Sequence, residues 1–480
     1  MIAITRNLAR QVRAVFRRAL NVTSRRDSSP VTFQTGPDGL RVRSRSSDAA
    51  VEYHLPGDYP VEQADLPFEF LADCEGRKDE PVRLSASDNG RVMAQWRDGS
   101  VPQIVQYDLA TPVDAAEFPR MPEKIAANPI TILKALHDAV ESSDLDSIRF
   151  ATDRIQLRGK TGTIVATDGR QVLLQSGFQF PWEDDILIPA SKVFASPEFI
   201  GCESVAIGRS EKWLSLAIGL WTVHLAVGVN LRFPDMDRHI PRPADAIAQC
   251  QLSADDAQFL VKALPRLPGD DEYNYPVTLD LNGRVAIRGK AANQSQPTEL
   301  ILANSSSSGE PIRVNTNRKF LARAIQLGFD RLYIYDPKMP ILCQHDHRQY
   351  VWAVLDPESA IGPADDATRI ASPHADGQPT PSQPKSRRRR TRMPRSRNGA
   401  NGPAENAGNR EASRVDNQEP QRPANTDLMT QAKAVRQSLQ EALTRTSDLI
   451  LALKQQEKRH RIVQSTLASL RQLQGIGIDA

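Results

Sequence analysis

At 480 residues and 40% apolar side chains the chain can build two to four cored domains, yet 34 prolines and long polar stretches leave part of it outside them. The formal charge of +3 hides an asymmetry: residues 358–480 carry 20 Lys+Arg against 13 Asp+Glu, and residues 1–357 carry 41 against 45. Four scattered cysteines (Cys74, Cys202, Cys250, Cys343) without a CxxC pair argue against a disulfide framework and for a reducing, cytoplasmic setting. No run approaches the roughly 18 apolar residues of a membrane span.

Residues 1–26 hold no acid and many arginines, a composition shared with mitochondrial transit peptides, but the repeat described below needs a helix here. Within it, residues 5–20 predict a helix. Leu8, Val12, Val15 and Ala19 recur at four, three and four, which makes one buried stripe. Arg6, Arg10, Arg13 and Arg17 recur at the same spacing almost opposite. A guanidinium row with no acid in it fits a nucleic-acid phosphate surface as readily as a solvated face.

Short alternating runs follow at VTFQT (31–35), LRVRS (40–44) and AVEYHL (50–55), punctuated by Gly and Asp, and read as antiparallel strands. A short helix is expected at 64–74, then three more strands, and the section ends at EFPRMP (117–122). The pattern restarts with a helix at 129–142, strands at SIRFAT, RIQLRG, TIVAT and QVLLQS, and a short helix at 190–199, and closes at RFPDMDRHIP (232–241). In its middle, IVATDGRQV (164–172) reads as strand, tight turn, strand, with Gly169 suited to positive φ and Asp168 able to bond back to the turn backbone. Phe118-Pro119 and Phe233-Pro234 lie 115 residues apart and close equivalent sections, the mark of an internal repeat. A third round runs from a helix at 252–267 through a helix at 317–329 to strands RLYIYD, PILCQHD and QYVWAVL. Three rounds of about 119 residues predict three α+β domains, at 1–122, 123–243 and 244–356, each an antiparallel sheet covered on one face by two helices.

Beyond Asp356 the composition changes. Residues 357–426 are rich in Pro, Ser, Asn, Arg and Gly and predict a disordered basic linker, with eight basic residues in the thirteen of KSRRRRTRMPRSR (385–397). Residues 427–475 predict a coiled-coil helix. A seam from Leu428 to Gln474 alternates at four and three for nearly seven heptads, with polar layers at Thr446, Gln456 and His460, and offers a site for a coiled-coil partner. A lone amphipathic helix folded back on the body is the other reading of the same pattern.

Catalytic signatures are thin: the chain has no P-loop, GxSxG or HExxH. Cys343, His345 and His347 alternate along a strand and so share a face that could ligate a transition metal, but no fourth ligand accompanies them, and a strand running into a polar turn explains them equally well. The chain reads as non-catalytic, with no metal and no cofactor.

The segments ATDGRQVLL (166–174), ILIPASKV (186–193), FPDMDRHIP (233–241) and NTNRKFLARAI (315–325), in this order on a threefold repeat, resemble the bacterial DNA sliding clamp, the beta subunit of DNA polymerase III. The resemblance covers residues 1–357. It implies three clamp domains per chain and two chains closing a homodimer ring, with helices lining the hole and sheets outside. The partners it implies are double-stranded DNA, a DNA polymerase and a clamp loader, and no membrane. It implies that Arg6, Arg10, Arg13, Arg17, Arg318, Lys319 and Arg323 contact DNA phosphates without reading bases. It also implies a partner-peptide pocket between the middle and last domains, at Leu145, Thr167, Gly169, Arg170, Gln171, Val172, Pro241, Val351, Ala353, Val354 and Leu355. The pocket departs from the family pattern. Arg170-Gln171-Val172 stand where the family has His-Arg-Leu, and Ala353 to Pro357 replace its closing Met-Pro-Met-Arg-Leu, so two adaptable methionines are lost and Asp356 stands in place of an arginine. Pro102 falls in the strand expected to face the partner subunit. The alternative function is a clamp-fold interaction scaffold on DNA that does not bind a polymerase.

Overall fold

The computed structural model describes residues 1–22, 29–86, 90–110, 117–145, 151–271 and 274–373, all within one compact unit. The predicted heptads, most of the predicted linker and most of the strand expected at SIRFAT lie outside the described residues.

Three lobes repeat one plan. The first runs β1 (Ile2–Thr5), α1 (Arg6–Ala19), β2 (Val31–Gly36), β3 (Gly39–Arg45), β4 (Ala49–Leu55), β5 (Glu62–Leu66), α2 (Glu69–Cys74), β6 (Pro81–Ala86), β7 (Arg91–Asp98) and β8 (Val101–Asp108). The second runs β9 (Ile125–Pro129), α3 (Thr131–Val140), β10 (Arg154–Arg158), β11 (Thr163–Thr167), β12 (Gln171–Gln175), β13 (Asp185–Pro189), β14 (Ser204–Arg209), β15 (Trp213–Ile218) and β16 (Trp221–Ala226). The third runs β17 (Ala248–Gln251), α4 (Ala254–Ala263), β18 (Pro276–Asp280), β19 (Ala286–Gly289), β20 (Thr298–Ile301), β21 (Ser306–Gly309), β22 (Arg313–Asn317), α5 (Arg318–Gln326), β23 (Arg331–Ile334), β24 (Ile341–His345) and β25 (Arg348–Trp352), and a last strand, β26 (Thr368–Ala371), follows it.

The sheet orders make the repeat explicit. Each lobe has one half-sheet ordered β5-β2-β3-β4, β13-β10-β11-β12 or β22-β18-β19-β20, and a second ordered β1-β6-β7-β8, β9-β14-β15-β16 or β17-β23-β24-β25. Lobes join by strand pairing. β4 pairs antiparallel with β16, setting Tyr53 opposite Trp221 and Val51 opposite Val223. β12 pairs antiparallel with β25, setting Val172 opposite Val351. Both junctions therefore use the same two edges of the repeat.

Side-chain chemistry accounts for the helices. Thr5 caps α1 by accepting from the Leu8 N–H, Ser253 caps α4 and Asn317 caps α5. The predicted stripe Leu8, Val12, Val15 and Ala19 is buried, joined by Ala9 and Phe16. Lobes I and II share one continuous apolar core, and lobe III has its own, to which Leu173 of lobe II contributes. The helical layers also meet across the junctions. Arg18 Nη1 reaches Glu198 Oε2 of lobe II at 2.9 Å, and Arg323 on α5 reaches Glu141 Oε2 at 2.5 Å and the Asp138 carbonyl at 3.0 Å on α3.

Four expectations are corrected. The helix expected at 190–199 is two 3₁₀ turns, Lys192–Ala195 and Pro197–Phe199, because Pro197 has no N–H to continue a helix. Residues 64–66 belong to a strand, and α2 starts at Glu69. The last strand of lobe III ends at Trp352, so Ala353 to Leu355 leave the sheet. The folded body continues past Asp356: residues 357–373 cross lobe III and add β26 in parallel to β20, the one parallel pairing among the described residues.

Candidate functional site

The two candidate surfaces are the basic helix faces and the cleft beside the turn at Thr167–Gly169. The seven cations expected at DNA have unequal fates. Arg6 is only 11% exposed: it bonds Glu80 and Asp98 at 3.1 Å each and the carbonyls of Cys74, Glu75 and Arg97. Burial works against the Arg6 cation, but the bonds to Glu80 and Asp98 outweigh it and raise its pKa. Arg13 holds Glu75 through both carboxylate oxygens, at 2.8 and 2.9 Å. Arg10 and Arg17 are exposed, and Arg10 donates to Asn7 Oδ1 at 3.0 Å.

On α5 the pattern recurs. Arg318 is 6% exposed, with its guanidinium turned inward onto the carbonyls of Leu264, Leu267, Pro268, Tyr275 and Pro276. Burial lowers its pKa from the ordinary arginine value. Arg323 bolts lobe III to lobe II through Glu141 and Asp138. Lys319 is exposed, with its ammonium 3.6 Å from the centre of the Tyr275 ring. The structure thus spends Arg6, Arg318 and Arg323 inside the fold, half-engages Arg13, and leaves Arg10, Arg17 and Lys319 open. Exposed Lys262 and Arg266, on and just after α4, add cations that the sequence reading missed.

At the cleft, Gly169 has φ +87°, the left-handed conformation the turn was expected to need. Asp168 Oδ1 accepts from the N–H groups of Arg170 (2.8 Å) and Gln171 (2.9 Å), and Thr167 Oγ1 donates to the Gln171 carbonyl at 2.6 Å. The Gln171 side chain donates to Asp168 Oδ2 at 2.8 Å and accepts from the Tyr350 hydroxyl, which ties the turn to β25. Burial pushes the Tyr350 phenol up, and the nearby Asp168 carboxylate adds to the shift.

Val172 and Val351 are buried together with Val165, Tyr335 and Leu342, and Leu174, Phe233, Met236, Ile240, Ala246 and Tyr333 rim this small cluster half-buried. Thr167 and Gln171 are buried beneath the turn, while Gly169, Arg170 and Pro241 stay accessible. Two expected lining residues are elsewhere. Val354 leans on the separate core of lobe III, and Leu145, 49% exposed, is not part of the cluster. Ala353 is exposed, its N–H donating to the Arg170 carbonyl at 2.8 Å; Leu355 is half-buried, its N–H donating to the Asn315 carbonyl at 2.8 Å.

Phe233 and Met236 sit in the FPDMDRHIP segment, of which the expected pocket takes only Pro241. Met236 supplies from that loop an adaptable thioether of the kind missing from residues 353–357. The Tyr335 hydroxyl is buried in the same cluster without a hydrogen-bond partner among the described residues.

The metal reading of the lobe III strand is not supported. Cys343 is sealed in the lobe core, His345 is exposed, and His347 lies beyond the hairpin turn at Asp346. Among the described residues no group of three His, Cys, Asp or Glu could hold a metal, and no helix is long and apolar enough to cross a membrane.

No family model matches the chain, and no curated protein matches it. Solved structures do. A DNA polymerase III subunit beta sliding clamp from Pseudomonas aeruginosa, bound to griselimycin, is 16% identical with a TM-score of 0.62, over 74% of this chain and 99% of that one. The DNA polymerase sliding clamp from Bacillus subtilis is 14% identical with a TM-score of 0.61, over 74% and 98%. The DNA polymerase III beta subunit from Thermotoga maritima is 13% identical with a TM-score of 0.60, over 74% and 99%. The chain has the sliding-clamp fold.

Proposed function

We propose that this chain is a DNA sliding clamp: two copies close into a ring around duplex DNA and tether a polymerase near its primer end by raising its effective concentration. The observation that carries the reading is the reuse of one joint. β4 pairs with β16 and β12 with β25, which leaves β8 at one end of the chain and β20 at the other as the same two edges without a lobe partner in cis. Head-to-tail pairing of β8 with β20 between copies uses the joint again, and it closes when rotation permits. The clamp catalyses nothing and acts in the cytoplasm.

Arg10, Arg17 and Lys319, with Arg13 as a half-engaged fourth, make the phosphate contacts. Such contacts are loose enough for sliding, because they bind charge and read no base. Partner peptides enter between the Thr167–Gly169 turn and the rim of Phe233, Met236 and Ile240.

The test is retention of the full chain, after clamp-loader treatment, on nicked circular and linearised DNA. Retention on circles with loss from linear ends is expected, and Arg10→Glu with Arg17→Glu shortens it. Equal loss from both substrates refutes the ring. A scaffold without a polymerase is the second reading, favoured by the Gln171–Tyr350 bond that closes the turn onto β25. Failure of a polymerase-derived peptide to bind a chain that is retained on circles selects it.

A further inference from the structure

β20 does not end its sheet. Residues 357–373 leave β25, cross lobe III and lay β26 along β20, with Thr298 opposite Thr368 and Ile301 opposite Ala371. Several bonds fasten the segment. The Ile361 N–H donates to Thr278 Oγ1 at 2.8 Å, and the N–H groups of Thr368 and Ser372 donate to the carbonyls of Pro297 (3.0 Å) and Ile301 (2.9 Å). Ser372 Oγ accepts from the Ala303 N–H at 2.9 Å, and Arg369 Nε donates to buried Glu299 Oε2 at 3.1 Å. Among the described residues the opposite edge of the repeat, β8, pairs with β7 alone. β8 exposes Val101 (54%) and Ile104 (64%), whereas most of β16, its counterpart inside a junction, is buried. An apolar open strand edge is a template for another strand.

We propose that residues 361–373 are a strap that holds the β20 edge in cis, and that β8 of a second copy takes this edge by displacing the strap. The inference rests on the ring reading above and adds a control that the repeat does not contain. The strands themselves permit the exchange. β26 pairs in parallel along the four residues of β20, while β8 would pair with them antiparallel, the stronger ladder per residue. Pro102 removes one donor near the start of β8 and leaves Gln103 to Asp108 beyond it. Against this, a tethered strand competes at an effective concentration on the order of millimolar. The strap therefore sets the protein concentration, or the loading event, at which the ring closes.

The experiment uses the full chain and reads hydrogen exchange at the outward β8 amides, those that do not bond β7 and that only a second strand on the open edge protects, as the concentration is raised. Thr298→Cys with Thr368→Cys places two cysteines on directly opposed residues and locks the strap when oxidised. Arg369→Glu with Ser372→Pro sets a carboxylate against Glu299 and removes the N–H donated to Ile301. In the reduced double-cysteine chain β8 becomes protected as the concentration rises; in the oxidised chain it stays exposed. The broken strap gains protection at roughly tenfold lower concentration than the wild-type chain. Equal protection of β8 in oxidised and reduced chains overturns the strap and leaves the ring standing. A β8 that stays exposed in every form, the broken strap included, overturns both.

Discussion

Arg318 separates what helix spacing implies from what the fold does with a side chain. By resemblance it faces DNA. In the structure it fills the space under the Leu264–Pro276 segment, and a Cβ added at Gly269 would meet its Nη2. Arg318→Met keeps the volume and removes the donors. Two of the bonds are short, to the Leu267 carbonyl and, at 2.9 Å, to the Pro268 carbonyl, and the other three are near 3.4 Å. Hydrogen bonds from a charged group contribute about 1.5–3 kcal/mol each, and relief of the buried charge offsets part of their loss. A destabilisation of ~3 kcal/mol is expected, read as faster exchange of the lobe III amides and a lower urea midpoint. The salt dependence of DNA affinity stays unchanged, because no phosphate contact is lost. Arg10→Ala with Arg17→Ala gives the converse: stability within about 0.5 kcal/mol of wild type, and a log–log salt slope shallower by about 0.9 for each contact removed. If Arg318→Met costs under about 1 kcal/mol and flattens the salt slope by about one contact, the guanidinium faces phosphate and the reasoning fails.

His224 supplies a pH dependence. It is buried on β16 with Nδ1 2.8 Å from Ser215 Oγ; burial above all, with Arg43 adding and Glu52 opposing, lowers its pKa from 6.5 to about 4. The unfolded chain therefore binds the proton first, so this contribution is whole above pH 6.5 and is lost as pH falls toward 4, amounting to ~3 kcal/mol. His224→Gln keeps a partner for Ser215 and flattens the unfolding midpoint across that window; an unaltered profile would show that His224 is not the group responsible. Asp256, Asp280 and Glu299, whose hydrogen bonds outweigh burial and hold them below the ordinary carboxylate values, lose their contributions at lower pH as each is protonated. Two glycines at positive φ separate strain from crowding. Gly169→Ala meets no atom within 4 Å and costs about 1 kcal/mol of backbone strain, while Gly162→Ala drives its Cβ into the Phe178 carbonyl and lowers the urea midpoint several times further. Equal midpoints for the two would refute the crowding argument.

The repeat was legible because its signals are local. Helix stripes, strand alternation and the Phe-Pro pairs each sit within a short window, and the structure returns them as three lobes that repeat the same two half-sheet orders, with β21 and β26 added in lobe III. The use of the arginines was not legible, because what decides it is remote. Arg6 finds its acids 74 and 92 residues away, and Arg323 finds Glu141 across a lobe boundary, 182 residues back. A helical stripe records which side chains share a face and carries no information about acids brought there by other strands. The same limit hid β26: four residues in a Pro- and Asp-rich stretch show no usable alternation, and the strand exists only because β20 offers it an edge. The residues that spoil the expected closing motif of the cleft also build the route to that edge. Ala353 bonds Arg170, Leu355 bonds Asn315, Asn315 Nδ2 donates to the Asp356 carbonyl at 3.0 Å, and Asp356 caps the turn at Glu358. The altered cleft and the capped edge are thus one change. Residues 353–357, expected to close the cleft, run instead toward lobe III, where Val354 packs on that lobe's core and the chain goes on to β26.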